Sequence, residues 1–121
     1  TVAEFYLASM EADAGKLDEA EKRYRAIVDD GTGAYVSLGK LALAKVYASQ
    51  GKTADAEKLI RSVIDKPTLL VSKEAATVAL ARVLAPAKPK EALALLAPLR
   101  ASERTAISKT AIDAITDLKL Q

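Results

Sequence analysis

Apolar and small residues along this chain recur three and four positions apart, as one face of a helix requires, and not in the alternation of a strand. The first such set is Phe5, Leu7, Ala8 and Ala12, and the second is Leu38, Leu41, Leu43, Ala44 and Tyr47. Gly15 and Gly51 stand where each of these helices should stop, because glycine accepts the left-handed C-terminal conformation at no steric cost. Asp18 and Thr53 are then placed to cap or charge the start of a second helix. Within those second helices Ala20 and Ala56 predict a close crossing that only a small side chain fits. The larger Tyr24, Ile27, Ile60 and Val63 fill the widening gap beyond it. Pro67 ends the fourth predicted helix, since proline cannot continue one.

The pattern is a repeat. With a shift of 36, Leu7-Ala8 falls on Leu43-Ala44, Gly15-Lys16 on Gly51-Lys52, Ala20-Glu21 on Ala56-Glu57, and Ile27 on Val63. A third copy continues it, with Ala92, Leu96 and Leu99 answering Ala56, Ile60 and Val63. Before these, VALARVL (Val78 to Leu84) answers LALAKVY (Leu41 to Tyr47) with a shift of 37, so the third internal turn, around Pro86 to Lys90, is one residue shorter. Val71, Ser72 and Glu74 lead into that third pair. Ser102 is a candidate cap for a seventh helix, whose stripe is Ile107, Ala111, Ile115 and Leu118 and which is expected to lie over the last repeat as a lid. Three stacked copies are enough to bury a continuous core.

The columns Leu43-Ala44, Tyr47, Gly51, Ala56, Ile60 and Val63, followed by Pro67, resemble the tetratricopeptide repeat. Copy one departs from the family at Glu11, where an aromatic is usual. Copy three lacks both the glycine and the aromatic, and the large aromatic early in each first helix is missing. The resemblance implies an all-α fold, a right-handed superhelix of helix-turn-helix repeats (an α-solenoid) with about seven helices. One domain would span 1–121, with repeats at about 1–33, 34–69 and 70–101 and a capping helix at about 103–119. LALAKVYASQGKTADAEKLI and its echo VALARVLAPAKPKEALALL are also similar to the soluble domains of bacterial membrane-anchored repeat proteins, among them the ancillary subunit of the Sec translocon. That similarity implies an extracytoplasmic, periplasmic address, with a cytoplasmic one as the alternative. The chain opens at Thr1 without an initiator methionine and with helical periodicity already running, so it reads as a fragment of a longer protein.

Composition narrows function mainly by exclusion. At 121 residues, half of them hydrophobic and 28% charged, the chain suits one globular domain that buries roughly two-thirds of its unfolded surface. It carries 18 basic and 16 acidic residues. Up to Asp65 the balance is 9 basic to 11 acidic, and beyond it 9 to 5. Neither part holds the basic stripe that phosphate neutralisation needs, so nucleic acid is not an expected partner. No cysteine and no histidine occur, which leaves no disulfide, no thiolate metal site and no near-neutral proton shuttle. No apolar run reaches the roughly 18 residues of a membrane span. The longest, Val78 to Ala87, is broken by Arg82 and Pro86.

The reading is therefore not an enzyme, and no cofactor is expected. The carboxylate neighbours Glu11 and Asp13, Asp18 and Glu19, and Asp29 and Asp30 read as solvated or helix-starting charges. DDGTG, Asp29 to Gly33, lacks the spacing of a phosphate loop or a calcium loop and reads as the turn between repeats. What the family resemblance offers instead is a concave groove, whose columns map here to Val2, Phe5, Ser9, Leu38, Leu41, Lys45, Ala75, Val78 and Arg82. Without asparagine this groove disfavours the carboxylate-clamp mode of chaperone-tail binding. It presents an apolar strip, Phe5-Leu41-Val78, beside the cations Lys45 and Arg82. The expected partner is a protein or peptide, such as an amphipathic helix with acidic residues, held by a scaffold or adaptor module. The alternative is a structural or assembly domain whose groove is filled by its own upstream helices or by self-association as a homo-oligomer.

Overall fold

The computed structural model describes residues 2–30, 35–68, 70–101 and 105–119. Seven helices account for nearly all of them: α1 (Val2–Asp13), α2 (Leu17–Asp30), α3 (Tyr35–Ser49), α4 (Thr53–Asp65), α5 (Lys73–Leu84), α6 (Pro89–Arg100) and α7 (Thr105–Asp117). Among the described residues there is no strand, so the fold is all-α. Nor is any helix among them long and apolar enough to cross a membrane. The cap expected at Ser102, and Gly31 to Gly33 of the first inter-repeat turn, lie outside the described residues.

Each helix packs on the next, and the odd-numbered helices also touch one another in order, α1 to α3, α3 to α5 and α5 to α7. No such backbone contact joins α2 to α4 or α4 to α6 among the described residues.

The local chemistry of the first two turns is the same. Gly15 and Gly51 have φ of +81° and +80°. Around each, the amide of the following lysine reaches back five residues, Lys16 to the Glu11 carbonyl at 2.8 Å and Lys52 to that of Tyr47 at 2.7 Å. The glycine amides bond to Ala12 and Ala48 at 3.0 and 3.1 Å. These paired bonds satisfy the carbonyls that a helix end leaves free. In the third turn Lys88 donates to the Leu84 carbonyl, one residue closer, at 2.7 Å, as the change of shift from 36 to 37 requires. The turn itself lies slightly earlier than Pro86 to Lys90, because Pro89 is already the first residue of α6, where its missing N–H costs nothing.

All three second helices then open with one bond in common. Ala20, Ala56 and Ala92 donate to the carbonyls of Lys16, Lys52 and Lys88 at 3.0, 3.1 and 3.0 Å, and all three alanines are fully buried. The expected crossing is there in every pair. Thr53, however, is not a cap. Lys52 holds that position and no side chain caps α4, because the tight glycine turn already commits the Lys52 amide. Asp18 lies in the first turn of α2, where it complements the helix dipole. Ser72 caps α5, its Oγ accepting from the Ala75 amide at 3.1 Å.

The core falls into two clusters. The larger joins Ala8, Tyr24, Ile27, Leu43, Ala44, Ile60, Val63, Ala76 and Leu80 across α1 to α5. The second gathers Val78 and Ala81 of α5, Ala85 at its C-terminal cap, Ala92 and Leu96 of α6, and Ala114 and Ile115 of α7. Of the stripe expected on α7, Ala111 and Ile115 are buried and Ile107 and Leu118 half-buried.

Candidate functional site

Two clefts occur at corresponding places in successive repeats. The larger, about 630 Å³, opens between α3 and α5 over Ile60 of α4. The smaller, about 370 Å³, opens between α1 and α3 over Tyr24 of α2. Their linings correspond residue by residue under the repeat shift: Leu41 with Phe5, Lys45 with Ser9, Ala48 with Ala12, Thr53 with Leu17, Ile60 with Tyr24, Ala79 with Ala42, Arg82 with Lys45, and Val83 with Val46. A 36-residue sequence period has become a period in surface shape.

The difference in size has a chemical cause. In the smaller cleft Ser9 donates to the Phe5 carbonyl at 3.0 Å and shares a hydrogen bond with the Tyr24 hydroxyl at 2.8 Å. Phe5 packs edge-on against Tyr24, with ring centroids 5.7 Å apart, and also meets Tyr35 at 6.0 Å. Aromatic side chains tied to one another therefore fill the space. In the larger cleft Ile60 and Leu41 replace the rings, and Ala42, Ala48, Ala75 and Ala79 leave room between them. The walls are apolar and the charge sits with Lys45 and Arg82. Lys45 is exposed, lines both clefts and has no ion-pair partner among the described residues. The Arg82 Nη2 lies 3.4 Å from Oδ2 of Asp117 on α7, with both side chains well exposed, a pairing worth about 0–1 kcal/mol in water.

Of the nine columns expected to form a groove, Leu41, Lys45, Ala75, Val78 and Arg82 come together in the larger cleft, and Phe5 and Ser9 in the smaller. Val2 and Leu38 line neither. The expected open strip Phe5-Leu41-Val78 needs correction, because its three members meet different neighbours. Val78 is only 7% exposed and belongs to the cluster under α7. Phe5 is half-buried against Tyr24 and Tyr35, and Leu41 is half-buried at the cleft. Sequence reasoning missed the alanine column Ala42-Ala79 and the Ile60 floor, all in the larger cleft. The alanines carried a usable signal, since small residues at equal positions of two repeats mark a gap between helices.

No known protein family, curated protein or solved structure matches this chain. Its chemistry must be read from its own side chains. Among the described residues no group of three acidic side chains converges as a metal-binding cluster. Of the carboxylates weighed in the sequence, Glu11 and Asp18 meet side chains of other helices, and Asp13 lines the smaller cleft. Glu11 pairs with Arg23, and Asp18 accepts from Gln50 Nε2 at 3.3 Å. Glu21 and Glu57 hold Lys52 and Arg61 across and along the helices at 3.4 and 2.9 Å.

Proposed function

We propose that this chain is a non-catalytic protein-interaction module of the tetratricopeptide kind, a right-handed stack of three helical hairpins and a capping helix. It holds a peptide or helical segment against the wall built by α1, α3 and α5. The observation that carries this reading is the repetition of the cleft in register, with Lys45 shared between the two copies and Arg82 at the far side of the larger one. An enzyme needs one pocket where reactive groups converge. A surface that repeats its shape every 36 residues suits an elongated ligand that places one side chain in each cleft. Apolar anchors would enter over Ile60 and beside Leu41, and acidic residues along one side of the segment would face Lys45 and Arg82.

Two substitutions test it. A panel of amphipathic helical peptides with and without an acidic stripe is titrated into the wild-type chain. Leu41→Glu should abolish binding of the acidic members while leaving helical content and melting intact. Lys45→Glu should weaken the same binding, with a loss that shrinks as salt is raised, because screening already removes part of the attraction. Unchanged binding by both variants would place recognition elsewhere, and unfolding of Leu41→Glu would make that residue core.

A further inference from the structure

α1 carries an apolar face that no helix covers among the described residues. Residues three and four apart share one side of a helix, so Ala3, Leu7 and Met10 form one column, opposite the side on which Ala8 and Ala12 meet the core. All three are exposed, Leu7 by 45% and Met10 by 66%, with Tyr6 beside them at 63%.

The same register in the other first helices is covered. In α3 it reads Gly39, Leu43 and Val46, all buried, and a side chain at Gly39 would run into Ile27 and Val28 of α2. In α5 it reads Ala76, Leu80 and Val83, packed in one cluster with Ile60, Val63 and Ile64 of α4. Each of these columns thus lies beneath the second helix of the preceding hairpin. α1 has the same kind of column, small then leucine then a larger apolar residue, and no such helix above it. The other end of the stack is built differently. On the outer side of α7 the exposed Lys109, Asp113 and Thr116 surround Ile112, the one large apolar residue exposed there among the described residues, at 44%, a largely polar face as suits a terminal element of a stack. The α1 end instead keeps an unbroken column with the composition of an interior interface, and an exposed apolar patch of that kind marks a contact surface.

The repeats also specify what fits there. We propose that the α1 column docks an amphipathic helix of the type that α2 and α4 present. Such a helix carries an apolar residue followed, after two positions, by a β-branched pair, as in Tyr24-x-x-Ile27-Val28 and Ile60-x-x-Val63-Ile64. Ala3 supplies the small position over which the β-branched pair sits, as Gly39 does beneath Ile27 and Val28. This contact would continue the interface already made between α2 and α3 and between α4 and α5, and it lies apart from the clefts.

The test uses the chain's own fourth helix as the probe. A fluorescein-labelled peptide of residues 53–68 is stapled through positions 54 and 58, both exposed in α4, to remove the nucleation penalty of a short helix. Fluorescence anisotropy should show saturable binding to the 121-residue chain. Leu7→Glu and Met10→Glu should each weaken it by at least about tenfold, a difference of about 1.4 kcal/mol, whereas Leu41→Glu in the cleft should leave it unchanged. No saturable binding, or binding indifferent to Leu7→Glu, overturns the proposal. A dimer seen by sedimentation that Leu7→Glu dissolves, with no peptide bound, overturns it in favour of a second copy as the occupant.

Discussion

Replacing three glycines in turn by alanine separates two kinds of constraint that one residue type serves here. A Cβ on Gly15 or Gly51 would meet nothing within 4 Å, so only their positive φ opposes a side chain. An L-residue held in that region costs roughly 1–2 kcal/mol, and alanine returns about 0.4–1 kcal/mol by restricting the unfolded chain. The net loss is about 1 kcal/mol at each site. At roughly 2.1 cal/mol/K of unfolding entropy per residue, a chain of 121 residues should melt about 4 °C lower. Gly51→Asn should lose less, because asparagine tolerates the left-handed cap. Gly39→Ala has the opposite balance. It gains about 1 kcal/mol of helix propensity inside α3, but its Cβ would lie 3.1 Å from Ile27 Cγ2 and 3.5 Å from Val28 Cγ2. Isoleucine is stiff at χ1 in a helix, so that methyl cannot turn aside. With overpacking at roughly 1–3 kcal/mol, the steric cost wins. Ile27→Leu, which has no γ2 methyl, should therefore couple favourably with Gly39→Ala in a double-mutant cycle and not at all with Gly51→Ala. Urea titrations followed by helical circular dichroism supply all the stabilities. Wild-type stability in Gly51→Ala, or no coupling between positions 27 and 39, would refute the reasoning.

Ala56→Leu should overpack the crossing of α3 and α4 and cost on the order of 1–3 kcal/mol, while the exposed Ala54→Leu on the same helix stays near wild type; equal melting of the two would mean the crossing is misplaced. Deleting the residues after Arg100 removes Ala114 and Ile115 from the cluster that holds Val78, Ala81 and Leu96. It should produce aggregation or a broad, weakly cooperative melt, and a truncated chain as monomeric and stable as the parent would deny α7 that role.

The hairpins were legible because their signals are local. A glycine at the left-handed position, a lysine after it and a buried alanine four residues further on define the first two turns, and each acts through bonds within about six residues. The third turn was legible too, through the change of shift from 36 to 37. Thr53 misled because a threonine after a glycine resembles a cap. The bond that reaches back five residues around Gly51, from Lys52 to Tyr47, instead commits Lys52, so the helix starts one position sooner than a side-chain cap at Thr53 would allow. The exposure of the groove columns was not legible, for a different reason. Val78 and Leu41 occupy equal positions in their repeats and both line the larger cleft, yet Val78 is buried and Leu41 half-buried, because α7 packs on α5 and α6 and shares a cluster with Val78. The stripe on α7 announced a helix laid over the last repeat, but not how deeply it would bury the Val78 column beneath it.

That contrast bears on how the two surfaces of the chain relate. In a stack each column meets a neighbouring helix, a ligand or water, and its composition must suit whichever it meets. Lys109, Asp113 and Thr116 suit water at one end, while Ala3, Leu7 and Met10 suit a helix at the other. Between them the larger cleft is walled by apolar side chains and edged by Lys45 and Arg82, and the smaller adds Asp13 and Ser49 beside Lys45, a mixture of apolar floor and charged rim that suits the proposed ligand. The α1 column has no such charge within it, and of the acids that flank it Glu11 is already held by Arg23. Burial there would involve little polar desolvation, as in the interfaces between the hairpins themselves. Salt dependence should therefore distinguish the two surfaces: binding in the clefts should weaken as ionic strength rises, and docking on α1 should not.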